Sequence, residues 1–374
     1  MRVAIVAHAL RAGGGVPVGV NIAGGLPRVR PDWEFLCVVP DMPEYLAATG
    51  QPHVHTLPFR QTSRATRLLF EQMALPRAIR RFAPDIIFSL GNATVPVHAR
   101  LHAMLLQDAH FVYPASHYGP LSPADRLQLA VNRLRLRRSL RYARLVFLQT
   151  TCMKARFLEA WNFAGSVAVL PNFLDSRPHA TPHSTPPQGL PLRVLVLSRY
   201  YPHKNLELIA NTFRQFRHEL HDIEIRLTIS ANQHPGARRL LQAISADHLE
   251  RQIVNTGPIP ITDLALACQD ADVMLLPSLL ESFSGTYLEA MQTGIPIVTS
   301  NLDFAHEVCG NAALYFDPTS MMDLAQALIR LRDDAQLRHD LVTAGFGRLT
   351  SLQVDWKSAL EQAATALEDA FGRI

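Results

Sequence analysis

The chain has 374 residues, enough for two ordinary domains, and its 48% hydrophobic and 18% charged side chains exclude a disordered or collagen-like polymer. No window reaches the 18 or more continuous apolar residues of a membrane-spanning helix. The formal net charge of +4 conceals a basic first half and an acidic second half, which directs the first half toward an anionic partner.

Met1 to Leu10 carries a short apolar run, but His8 interrupts it and Gly13-Gly14-Gly15 follows in place of a small-residue cleavage site, so no export signal is predicted. The expected location is cytoplasmic. In the first half, buried strands are predicted at Val3 to Ala7, Phe35 to Val39, Ile86 to Ser89, Ala103 to Leu106, Leu145 to Gln149 and Val167 to Leu170. Ser176 to Pro191, with five prolines and no apolar periodicity, reads as an exposed linker. In the second half the strands fall at Arg193 to Leu197, Ile223 to Ile229, Ile253 to Thr256, Val273 to Leu276, Ile297 to Thr299 and Ala313 to Phe316. An amphipathic helix is predicted from about Val354 to Phe371.

Strands alternating with helical patterns predict an α/β architecture of two Rossmann-like domains facing each other across a cleft, with functional residues in loops that follow strands. The predicted division is residues 1–175, a linker at 176–191, residues 192–352, and a final helix at 353–374. Cys37, Cys152, Cys268 and Cys309 are scattered without a C-x-x-C pair and read as buried free thiols.

Two loops carry chemistry. After the strand at 273–276, Ser284, Gly285 and Thr286 open a helix that Gly294 and Pro296 stop, and the free amides at such an opening favour an anion. Glu281 precedes that helix and Glu289 lies within it, about 12 Å apart along the axis, a spacing that suits two groups gripping different parts of one extended ligand. After the strand at 193–197, Arg199 and Lys204 flank a strand-to-helix turn and can converge on a diphosphate.

Read in order, several pieces resemble the retaining GT-B glycosyltransferases of family 4 (glycosyl transferases group 1). They are Arg199 with Lys204-Asn205, Gly257-Pro258, Ala271-Asp272-Val273 leading to Pro277-Ser278, Glu281-x7-Glu289-Ala290-Met291, and Gly294-Ile295-Pro296-Ile297-Val298. The resemblance covers about residues 192–335, and Pro171-Asn172 and the Gly13–Gly15 loop extend it into the first half. It implies a nucleotide-sugar donor held by the second domain, a final helix at 353–374 that crosses back to the first domain, a glycan or lipid-linked acceptor, and a place in cell-surface polysaccharide synthesis.

By the same resemblance Arg199 and Lys204 bind the donor diphosphate, Glu289 the ribose, Glu281 the sugar hydroxyls, and the amides of Phe283, Ser284, Gly285 and Thr286 cradle sugar and phosphate. Gly14 and Gly15 admit the phosphates closely. His110 matches the histidine that relatives place near the donor sugar, with Gln107 and Asp108 as alternatives for that place. The resemblance further implies retention of anomeric configuration, with the leaving phosphate taking the acceptor proton, no catalytic metal and no cofactor. Ser284-Gly285-Thr286 departs from the Gly-Leu-Val of many relatives.

Asp270-Ala271-Asp272 spells D-x-D but lies between a helix and a buried strand, so a capping or solvated pair is expected there, and His53-x-His55 lacks a third ligand. Residues 126–144 hold seven arginines, of which Arg126, Arg133, Arg137, Arg141 and Arg144 share one helical face suited to anionic lipid headgroups on the inner side of the cytoplasmic membrane. Arg60, Arg64, Arg67, Arg77, Arg80 and Arg81 form a second cluster. The arginines lack interleaved aromatics, which argues against nucleic acid, and a nucleotide-sugar epimerase or hydrolase is the competing enzyme class. Arginine exceeds lysine 33 to 3, a composition that suits a GC-rich bacterial source.

Overall fold

The computed structural model describes residues 1–172, 191–260, 263–352 and 355–373, and the Pro-rich stretch therefore lies, apart from Pro191, outside the described residues. The chain forms two compact units. One holds residues 1–112, 123–172 and 355–373; the other holds residues 113–122 and 191–352.

The first unit is built on a parallel sheet of seven strands: β1 (Arg2–Val6), β2 (Glu34–Pro40), β3 (Val54–Phe59), β4 (Ile86–Ser89), β5 (Leu101–Leu106), β6 (Leu145–Leu148) and β7 (Ser166–Val169). Their order is β3-β2-β1-β4-β5-β6-β7. The strands β4, β5 and β6 are buried along their whole length, as expected of a sheet covered on both faces by crossover helices. β3 was not predicted from sequence. It is an edge strand with alternating exposure and a proline, Pro58, which an edge tolerates because one row of its amides has no sheet partner to serve.

The last helix, Trp356–Gly372, belongs to this unit and packs on helix Gly15–Val29. The approach is close: a Cβ on Gly25 would fall 2.4 Å from Leu360 Cδ1, so any side chain there would have to displace the end of Leu360. Arg30 closes the far end with a two-pronged bond to Glu368, through Nε at 2.9 Å and Nη2 at 3.2 Å.

The second unit has a parallel sheet of six strands: β8 (Leu192–Val196), β9 (Ile223–Leu227), β10 (Ile253–Asn255), β11 (Val273–Leu276), β12 (Ile297–Ser300) and β13 (Ala313–Phe316), ordered β10-β9-β8-β11-β12-β13. All six were predicted to within two residues. Its core joins Val194, Ile225, Leu275 and Val298 of the sheet to Phe213, Leu240, Leu324 and Leu328 of the covering helices. No helix among the described residues is long and apolar enough to cross a membrane.

Candidate active site

In the second sheet the chain turns from β8 to β9 on one side, while β11 lies on the other. The turns that follow β8 and β11 therefore diverge at a switch point, the place where an open parallel sheet offers a ligand crevice. The two turns are tied together there: the His203 carbonyl accepts the Leu279 amide at 2.8 Å, and Lys204 Nζ donates to Glu281 Oε1 at 2.5 Å. Both side chains are largely enclosed, Lys204 at 19% and Glu281 at 10% exposure.

Lys204 is placed by local backbone chemistry. Pro202–Lys204 is a single 3-10 turn, and Asn205 reverses the chain in the left-handed region at φ 56°. An asparagine tolerates that conformation, and its side-chain amide donates to the Pro318 carbonyl at 2.9 Å. Helix Leu206–Gln215 then begins. Arg199, on the same turn, is exposed and makes no ion pair among the described residues.

Helix Gly285–Thr293 opens after Ser284, whose side chain makes no capping bond. Phe283 and Ser284 are buried and Gly285 and Thr286 half-buried, so the helix opening is embedded with first-turn amides lacking a side-chain cap from Ser284. The helix is held rigidly from beneath: the buried Tyr287 hydroxyl donates to Thr299 Oγ1 at 2.8 Å, which itself donates to the Leu276 carbonyl at 3.0 Å. Glu289 is half-buried, one turn further on. Burial, with a smaller contribution from the Glu289 charge, pushes the neighbouring Cys268 thiol up to about 12. Gly294 ends the helix in the left-handed region at φ 68°.

The first unit has its own switch point between β1 and β4. Gly13 is left-handed at φ 59°, and Gly14 precedes helix Gly15–Val29 as its N-cap. Nothing lies within 4 Å of where a Cβ on Gly14 would point. Tyr45 secures the loop before it by donating to the Leu10 carbonyl at 2.9 Å.

His110 stands after β5, and the three sequence alternatives resolve into different jobs. Gln107 Nε2 donates to the Leu90 carbonyl at 2.9 Å, holding the loop after β4. Asp108 accepts both the His110 amide at 3.1 Å and His110 Nδ1 at 2.7 Å. Asp108 thus orients the imidazole, with the proton on Nδ1. Asn92 organises the segment by accepting the amides of Gln107 and Asp108 at 2.7 and 3.1 Å.

Several expected features take other roles. Asp272 is buried and accepts the Arg193 amide at 2.8 Å as well as two guanidinium bonds at 3.0 Å; Asp270 pairs with Arg193 at 2.6 Å and with Arg226. Asp270 is, as expected, the exposed C-cap residue of helix Leu264–Gln269, whereas Asp272 is neither a cap nor solvated; together they form the acidic half of an ion-pair network that pins β8 to β11. His53 Nε2 meets the Pro27 carbonyl and His55 Nε2 meets Glu34. No group of three or more potential metal ligands occurs among the described residues. Cys152 is half-buried rather than buried, with its thiol on Thr150 Oγ1. Arg133 turns inward, donating to the His110 carbonyl at 3.1 Å and lying over the Trp161 ring, and helix Pro123–Ser139 ends before Arg141 and Arg144, so all three leave the cationic helical face assigned to them.

One structural element was not foreseen. Residues 113–122 interrupt the first unit in sequence yet fold with the second. Tyr113 donates to Asp303 Oδ1 at 3.0 Å and packs edge-on against Phe304, and Tyr118 donates to the Tyr113 carbonyl at 2.9 Å. Gly119, at φ 69°, lies so near the Lys204 turn that a Cβ would fall 2.5 Å from the Pro202 carbonyl oxygen. The tyrosine- and proline-rich sequence of this strap is visible in the chain, but its docking depends on partners 80 or more residues away.

Two Rossmann-like sheets with helix-opening turns at their switch points, glycine-rich in the first unit, define a protein of the GT-B class. The chain is similar over its whole length to sucrose-phosphate synthase from Thermosynechococcus elongatus, with a TM-score of 0.77 at 17% identity, covering 100% of both chains. It is also similar to Anabaena HepE solved with UDP and glucose, with a TM-score of 0.69 at 17% identity over 99% of this chain and 100% of that one. Residues 12–177 match the Glycosyltransferase Family 4 model and residues 191–334 the Glycosyl transferases group 1 model. The chain belongs to this family of glycosyltransferases. A D-inositol 3-phosphate glycosyltransferase from Pseudarthrobacter chlorophenolicus is 28% identical over 171 residues, 44% of this chain and 39% of that protein. The chain aligns with only 33 to 39% of the length of such curated relatives.

Proposed function

We propose that the protein transfers a sugar, with retention of anomeric configuration, from a nucleoside-diphosphate sugar to a glycan or lipid-linked acceptor. The observation that carries this reading is the joining of the β8 and β11 turns by Lys204 and Glu281, beside the embedded opening of helix Gly285–Thr293. Breaking the anomeric C–O bond places negative charge on the diphosphate and positive character on the sugar carbon. In this reading Lys204, Arg199 and the amides at 283–286 would stabilise such an anion as it grows. Glu281, exchanging Lys204 for donor hydroxyls, would orient the sugar, and Glu289 would accept from the ribose.

In the acceptor-side unit, Gly14 and Gly15 present helix-opening amides without side chains in the way, and Asp108 sets His110 for contact with the sugar. The leaving phosphate takes the acceptor proton in this scheme, so it requires neither a resident metal nor a cofactor. HepE was solved with UDP, which supports a nucleotide-sugar donor. Cell-surface polysaccharide synthesis in a bacterium is the setting we propose.

Thermal-shift titration of the full chain with UDP, GDP, ADP and their common sugars tests the donor assignment, and NMR of the product with a hydroxyl acceptor tests retention. A stabilising shift by one nucleotide-sugar set and a product of unchanged anomeric configuration are expected. Absence of any shift overturns the donor site. Release of an epimer or free sugar as the sole product identifies the epimerase or hydrolase class instead.

A further inference from the structure

Helix Pro123–Ser139 is built inside out. Of its 17 residues only Leu136 and Ser139 are buried, so the core gives this helix little reason to form. Leu127 is 68% exposed, and Val131 and Leu134 are exposed as well. At 100° per residue these three lie within about 60° of one another, on the side opposite Leu136. Arg126 and Arg137 line one edge of the stripe and Arg135 the other, with Arg138 on the stripe's own line toward the C-terminal end; all four are exposed.

A second ridge adjoins it. The run Arg64–Leu69 passes through a π-helical segment, Phe70–Ala74, and exposes Leu68, Leu69 and Met73. The two ridges are joined at Glu71, which accepts from Arg67 Nε at 2.6 Å and from Arg135 Nη2 at 3.2 Å. Two cations thus outweigh the one acid on this face. Helix Leu75–Phe82 continues the run with exposed Arg77, Arg80 and Arg81, while the Arg64 side chain lies outside the described residues.

We infer that this face docks on an anionic lipid bilayer, with Leu127, Val131, Leu134, Leu68, Leu69 and Met73 entering the headgroup–acyl boundary and the flanking arginines meeting lipid phosphates. An aliphatic stripe bordered by long cationic side chains complements both layers of such an interface. The alternatives fit less well. A second copy of the chain paired about a two-fold axis would oppose arginine to arginine, and nucleic acid has no use for aliphatic side chains where stacking rings are needed. The docking face uses none of the donor residues, so its failure and that of the transfer reading are separable.

The test is sedimentation of the full chain with vesicles of phosphatidylcholine alone or mixed equally with phosphatidylglycerol. Binding to the mixed vesicles only is expected. Arg126→Ala with Arg137→Ala should weaken it more than about tenfold, given roughly fivefold per near-surface cation. Leu127→Ser with Leu134→Ser should abolish the fraction that survives high salt, because apolar insertion is not screened. Val131→Trp should show a blue-shifted emission on binding. All variants should keep the parent's melting temperature and nucleotide response. Failure of the parent to sediment, binding by the leucine variant equal to the parent at every salt concentration, or a dimer in light scattering that the leucine variant loses would overturn the inference.

Discussion

Lys204 and Glu281 lie 77 residues apart in sequence and meet at 2.5 Å with little solvent around either, so the proposed diphosphate-binding cation is already neutralised before a donor arrives. Lys204→Ala should cut donor affinity at least about tenfold and also strand Glu281, costing about 2 kcal/mol, since removing one partner leaves an uncompensated enclosed charge. Adding Glu281→Ala should restore the melting temperature without restoring donor binding. Calorimetry of the two single variants and the double variant measures the coupling; simple additivity in stability would refute it.

His110 depends on Asp108 for its orientation. Asp108→Asn presents an amide that can donate as well as accept, and the ring loses its fixed tautomer. We expect kcat to fall on the order of tenfold or more with KM little changed. Initial-rate kinetics against donor concentration would show an unchanged kcat if the pair is only structural.

Gly119 is confined twice, by a left-handed backbone and by the Pro202 carbonyl. Gly119→Ala should destabilise by about 2 kcal/mol and weaken donor binding by shifting the turn that carries Lys204. Gly347, inside helix Ala335–Leu352 with nothing within 4 Å of its Cβ position, is the contrasting case. Gly347→Ala should stabilise by about 0.5–1 kcal/mol and leave donor binding alone. Thermal melts with and without nucleotide separate the two.

Burial opposes ionisation of Glu71, but hydrogen bonds from His8 and Arg67 prevail and hold its pKa down at about 2, against 4.5 ordinarily. A carboxylate depressed in the folded state contributes stability that is complete above the unfolded pKa and lost as the pH falls toward the folded one. The stability difference between the parent and Glu71→Gln should therefore be constant above about pH 5.5 and shrink progressively from there toward pH 2. Urea unfolding across that range checks it, and a difference that does not change with pH would remove Glu71 from the account.

The sheets were legible because buried parallel strands are short apolar runs: twelve of the thirteen stand where those runs stand. β3 escaped because Pro58 and His55 break its pattern at an edge of the sheet. The donor turns were legible through glycine, cation and acid at strand ends. What sequence could not supply was long-range pairing: Lys204 with Glu281, Arg193 with Asp270 and Asp272, the strap with Asp303. Helical arithmetic grouped Arg133 with Arg126 and Arg137, yet Arg133 sits at the margin of that face, and the nearby His110 carbonyl and Trp161 ring draw it inward.

The exchange of segments also governs how the polypeptide could be taken apart. Residues 113–122 come from the amino-terminal half yet complete the other unit, and helix Trp356–Gly372 comes from the carboxyl-terminal half yet completes the first. A protease nick anywhere in 176–191 would leave each fragment clasping a piece of its neighbour. The fragments should copurify under native conditions and separate only in denaturant, and expressing either half alone would leave an incomplete fold.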